Sequence, residues 1–230
     1  NLFFAGRNIS ATHPAMSSTR VMATCSVIGQ AMGTAAAVAA RYGTGPRGVY
    51  QNHLQELKTT LMEDDAYLPF NRRPITDLTA RAHLSTSNAQ GADDVRNGHD
   101  RVIGENENAW TAKMGDSIDF TWDSAVMVEK LRLVFDSDLC RPTHNMVSYY
   151  NLEVEPFRVP PELVKRFRVQ TRDTSGDWSD CVVEENNHQR LVWVPVDAET
   201  TGVRLIVDES WGDKSVRIFA VDVYGADASA

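Results

Sequence analysis

The sequence predicts a mainly β chain, an antiparallel two-layer β-sandwich preceded by a helical segment of an α/β domain. Two observations predict it. From residue 75 onward, short runs alternate apolar and polar residues between turn signals. Before that point the pattern is helical, with small residues crowded between 20 and 42. The two halves meet at Tyr67-Leu68-Pro69-Phe70-Asn71-Arg72-Arg73-Pro74. Proline removes a donor and restrains the residue before it, so helical character ends there and the boundary falls near residue 74. The chain thus divides into 1–74 and 75–230, and 230 residues suffice for one or two cores.

Taken in order, residues 2–5 read as a buried strand stopped by Gly6. Ser17, Ser18 and Thr19 supply capping hydroxyls before a helix that begins near Arg20. A helix start presents unpaired N–H groups that favour an anionic ligand edge by roughly 0.3–2 kcal/mol. The helix carries many alanines, with Gly29 and Gly33 spaced as GxxxG. Each such glycine costs about 0.5–1 kcal/mol relative to alanine, so something large is expected to pack against the main chain. A membrane span is the competing reading, since residues 21–40 are uncharged. Gln30 at mid-span, Thr24, Ser26, Thr34 and the lack of an aromatic belt favour a helix buried in a large soluble protein.

Gly43-Thr44-Gly45-Pro46-Arg47-Gly48 fits GxGxxG as a string, but it follows a helix and contains a proline; it reads as a C-cap and linker. Residues 49–65 read as one amphipathic helix with Leu54, Leu57 and Leu61 on one stripe. Strands are then expected at 117–122, 126–135, 149–154, 163–171, 189–196, 202–207 and 216–223.

The run AGRNISATHPAMSSTRVMATCSVIGQAMGTAAA resembles the carboxy-terminal flavin motif of the FAD-dependent oxidoreductases that include fumarate reductase and succinate dehydrogenase flavoproteins. VYQNHLQELKTTLMEDDAYLP resembles the helix and tail that follow it in bacterial members, so the likeness spans residues 1 to about 70. It implies FAD as cofactor, with Gly6 and Arg7 along the ribityl and pyrophosphate chain, Ser18 beside the cofactor, and the amides of Val21 and Met22 at the flavin pyrimidine edge. Fumarate reductases carry a glutamate where Arg7 stands, which leaves the role of Arg7 open. His13 and Arg20 match a substrate-carboxylate clamp, a role suited to a guanidinium fork beside an imidazole. A family domain of this kind also needs a strand-borne glycine loop with an acidic residue beyond it, and no such unit is present. The chain therefore reads as the carboxy-terminal piece of a longer flavoprotein. Alone it is expected neither to hold FAD tightly nor to turn over substrate.

From 75 to 225 the order of features resembles the galactose-binding-like, discoidin-type jelly roll. The landmarks are Ala92-Asp93-Asp94-Val95-Arg96-Asn97-Gly98 followed by Trp110-Thr111-Ala112, then Leu131-Arg132-Leu133-Val134-Phe135-Asp136, and a last strand at 217–225. Such domains bind carbohydrate or brace a neighbour. A sugar site needs an exposed aromatic ring with a polar rim, for which His144, Trp178 and Trp211, all in polar loops, are the candidates. Trp110, Trp122 and Trp193 read as core or strand positions. The resemblance also implies a structural calcium near residues 94–100, where hard-cation donors occur.

Composition excludes some classes. A net charge of -8 argues against general nucleic-acid affinity. The basic exception is residues 1–50, with Arg7, Arg20, Arg41 and Arg47 and no acid. Cys25, Cys140 and Cys181 are too widely spaced for a zinc site. Cys140 and Cys181 either pair in an oxidising compartment or stay free thiols, and the compartment is not fixed by sequence. Two functions compete: part of a flavin oxidoreductase, or a carbohydrate-binding or docking module.

Overall fold

A computed structural model describes residues 2–139 and 159–227. The chain splits into two compact units, Asn1–Pro74 and Ile75–Ala230.

In the first unit, a 3-10 turn Gly6–Asn8 leads to α1 (Met16–Thr19), α2 (Met22–Arg41), α3 (Pro46–Asn52) and α4 (Leu54–Glu63). Residues 2–5 are extended but unpaired, with Leu2 66% exposed, which corrects the expectation of a buried strand. A strand needs a neighbour to satisfy its backbone, and this unit contains none among the described residues. The helix expected from Arg20 starts later, after a break. Ser17, Ser18 and Thr19 form α1, and their hydroxyls donate backwards to the carbonyls of Pro14 and Ala15 instead of capping α2.

α2 ends at Gly43 (φ 59), with the Thr44 amide on the Ala39 carbonyl and the Gly43 amide on that of Ala40. That is the left-handed glycine cap expected of the 43–48 linker, and Pro46 opens α3. The single helix expected over 49–65 is two, broken at His53, whose ring stacks on Tyr42 at 3.8 Å. Leu57 and Leu61 pack with Val49, Ala35, Val38 and Ala39, while Leu54 stays exposed.

The second unit begins with α5 (Asp77–Arg81) and contains β1 (His83–Thr86), β2 (Trp110–Lys113), β3 (Ser117–Phe135), β4 (Val164–Arg172), β5 (Trp178–Glu184), β6 (Leu191–Ser210) and β7 (Ser215–Asp227). The sheet order is β2-β7-β3-β6-β4-β5, with β1 also on β3, and every pairing is antiparallel.

β3 and β6 each serve both layers. Their register shifts between Thr121 and Val126, where the strands turn a corner. The early part of β3 pairs with β1, its later part with β7, and the later part of β6 with β4. The Thr200 hydroxyl holds that corner, its one hydrogen shared between the Arg172 and Gly202 carbonyls and its oxygen accepting the Arg172 amide.

Leu131, Leu133, Val221 and Val223 share one buried core with Ile118, Phe120, Phe167, Val203 and Leu205. This is the antiparallel two-layer sandwich the alternation predicts, and the jelly roll the resemblance implies, with runs 117–122 and 126–135 fused into β3, and 189–196 and 202–207 into β6. Three short strands, β1, β2 and β5, were not legible in the pattern. The strand expected at 149–154 lies outside the described residues.

Trp110 and Trp122 are core residues as expected, their indole N–H groups donating to the carbonyls of Asn88 and Leu78. Trp193 is the strand position expected: it lies in β6, 36% exposed, edge-on to Tyr224, with the Lys130 ammonium 4.3 Å from its ring centre.

Candidate functional site

The flavin candidates gather at the start of α2. Its N-cap is Val21 in an extended conformation, and no side chain caps the helix. The first intrahelical bond runs from Cys25 N to the Val21 carbonyl, so the amides of Met22, Ala23 and Thr24 open the helix uncapped. Met22 itself is 90% exposed. Along α2, a Cβ built on Gly29 or Gly33 would meet nothing within 4 Å. The slim flank is open, as a cofactor ring or a neighbouring sheet would require, and the residues present fit an anionic aromatic group on that count.

The other candidates lie just upstream. Gly6 takes φ 84, a left-handed turn that accepts the Ile9 amide at 3.3 Å, and Arg7 is exposed beside it. Ser18 spends its hydroxyl within α1. His13 is exposed in the turn before α1. Arg20 is half-buried; its Nη2 donates to the Ile9 carbonyl at 2.9 Å and its Nη1 approaches Met16 Sδ at 3.2 Å. The fork read as a substrate clamp is engaged with its own loop.

In the sandwich, the sugar candidates do not converge. His144 lies outside the described residues, as does Cys140, so the Cys140–Cys181 alternative stays there too. Trp178 opens β5 instead of sitting in a loop, paired with Arg172 at one end of β4. The Arg204 guanidinium covers its ring at 4.1 Å while holding Asp119 through two bonds of 2.7 and 2.8 Å.

Trp211 follows β6 at the other end of β4, where Val164 pairs with Ser210. Eight residues of strand, roughly 25 Å, separate the two ends. The Trp211 indole N–H donates to the Asn187 carbonyl at 2.7 Å, His188 lies 4.6 Å from its ring, and Lys165, paired with Glu209, reaches 5.3 Å from it. Trp211 is half-buried against the core, its indole N–H engaged and His188 and Lys165 beside its ring. Its partners His188 and Lys165 were missed because nothing local in the sequence marks a residue that meets the ring across strands.

The calcium loop folds as a 3-10 turn, Ala92–Arg96. Several of its side-chain oxygens already take hydrogen bonds. Asn97 donates to Asp94 and Asn108 and accepts the His99 amide, and Asp100 accepts from Arg132 at 2.8 Å. Among the described residues no three Asp, Glu, His or Cys side chains gather in a metal-holding cluster.

Burial pushes the Glu162 carboxyl above its ordinary range, and the nearby Asp138, Asp213 and Asp136 push the same way.

No curated protein matches the chain. Solved structures similar to it include the family 32 carbohydrate-binding module of Streptococcus pneumoniae EndoD (15% identity, 65% of this chain and 99% of that one, TM-score 0.49). Two more are a Streptococcus pneumoniae fucose binding module, SpX-3 (9%, 66% and 100%, 0.48), and the lectin domain of lectinolysin complexed with Lewis B antigen (13%, 66% and 99%, 0.47). α2 is long and apolar enough to cross a membrane by length and composition, a test that core helices of soluble proteins also pass. The stretch around it carries the family likeness: residues 1–61 match the FAD dependent oxidoreductase family.

Proposed function

We propose that residues 1–74 are the closing segment of the FAD-binding domain of a flavin-dependent oxidoreductase, and that 75–230 form an accessory sandwich. The observation that carries this reading is the uncapped start of α2 beside an open glycine flank, within the segment that matches the family. In it, the amides of Val21 and Met22 would stabilise negative charge at the pyrimidine edge, as helix starts do for anions. Gly6 and Arg7 would line the cofactor's phosphate chain, Ser18 would flank it, and His13 would meet a substrate carboxylate. The cofactor, when bound, would supply hydride chemistry; the chain supplies orientation and electrostatics. The rest of the flavoprotein is the partner this requires.

Purification of the complete gene product tests the reading. Flavin absorbance that survives gel filtration supports it. A colourless protein that stays colourless after FAD is added removes it.

For the sandwich, Trp211 with His188 and Lys165 favours a second reading, a carbohydrate subsite on one fixed indole. Glycan-array and calorimetric titrations decide between binding and a bracing role. Binding that Trp211→Ala abolishes supports the subsite, and no binding by the unaltered chain leaves a brace.

A further inference from the structure

We infer that Arg20 is a positioning residue, a brace between the 6–9 turn and the start of α2, and not a substrate clamp; the inference rests on the flavin reading above. Arg20 is the C-cap of α1, its amide bonded to the Met16 carbonyl at 3.2 Å, and it directly precedes Val21, the N-cap of α2. Its side chain runs back across α1. Nη2 donates to the Ile9 carbonyl at 2.9 Å, Nη1 lies 3.2 Å from Met16 Sδ, and Nε is shut away from solvent. The Ile9 amide in turn closes the turn opened by Gly6.

One guanidinium therefore ties three things together: the turn that carries Gly6 and Arg7, the body of α1, and the residue at which α2 begins. Those are the two places where cofactor candidates stand, and the brace sets their spacing. With Nη2 on the Ile9 carbonyl, Nη1 against Met16 Sδ and Nε shut away from solvent, the fork is turned toward its own loop. Lysine can keep one bond to that carbonyl but not the planar fork; alanine keeps neither.

The test compares Arg20→Ala and Arg20→Lys by amide hydrogen exchange on this 230-residue chain, and by flavin spectrum and FAD fluorescence titration on the complete gene product. For Arg20→Ala the brace predicts exchange at Ile9 and Cys25 faster by about tenfold or more, the scale of one hydrogen bond to a charged group. It also predicts FAD affinity lower by about tenfold with a shifted visible band. Arg20→Lys is predicted to restore most of both. Unchanged exchange with an unchanged flavin spectrum in Arg20→Ala, or equal damage from lysine and alanine, overturns the brace. If the unaltered gene product holds no flavin, the flavin reading fails separately. Exchange alone then judges the brace: acceleration that lysine reverses upholds it, and unchanged exchange overturns it.

Discussion

The guanidinium of Arg204 lies 4.1 Å from the centre of the Trp178 indole, held in place by two bonds to Asp119. That face of the ring is used, and a sugar would have to displace a charge-assisted pair to stack there. Trp178→Ala is accordingly predicted to lower thermal stability by about 1–2 kcal/mol and to leave any glycan binding intact. Trp211→Ala is predicted to remove such binding. Loss of binding from the Trp178 variant alone, by calorimetry, contradicts this.

Arg132 and Asp222 are both fully buried, Nη1 to Oδ2 at 3.4 Å, and Arg132 also holds Asp100. The pair pins the loop around Asp100 onto the sheet, aided by Arg190, which donates to the Phe135 and Asp100 carbonyls. Arg132→Met strips a cation from two buried carboxylates and is predicted to cost about 3–5 kcal/mol by urea melt. Adding Asp222→Asn is predicted to recover part of that. A melt within about 0.5 kcal/mol of the parent, the surface-substitution range, refutes the role assigned to the pair.

Glu162 supplies a pH-dependent test. Its carboxyl is raised by burial and then by Asp138, Asp213 and Asp136, so ionising it costs more in the folded chain than in the unfolded one. Its effect is absent below the ordinary glutamate range, where both forms are protonated. The destabilisation grows as pH rises from that range through the raised folded value. Glu162→Gln is predicted to raise Tm at neutral pH and to change it little in acid. Equal effects at both pH values contradict the assignment.

Gly225 takes φ 156 beside the corner of β3, where a Cβ would lie 2.0 Å from the Met127 carbonyl oxygen. Gly225→Ala is predicted to destabilise by about 2 kcal/mol or more, since backbone on backbone must move. A neutral change in Tm rules that contact out.

Much of the sandwich was legible because alternation reports burial directly. Phe120, Leu131, Leu133 and Val221 sit in the core where their period places them. The β1, β2 and β5 strands escaped because four to seven residues bordered by polar turns give period 2 little to act on. Trp193 lies in a strand as expected, but which face of β6 it takes was not legible, because an aromatic on the outer face of a strand reads like one on the inner. The break at Arg20 was hidden because serine and threonine hydroxyls serve equally as caps or as bonds to the preceding turn, and only the fold decides which.

The central claim is that the slim flank of α2 is narrow for the sake of something that lies against it. The direct measurement is Gly29→Leu with Gly33→Leu, read by thermal melt of this chain and by flavin content of the complete gene product. Since nothing lies within 4 Å of either position here, the chain alone is predicted to melt slightly higher, by about 0.5–1 kcal/mol per site from helix propensity. The complete product is predicted to lose its flavin. Full flavin occupancy in the doubly substituted protein would contradict the account.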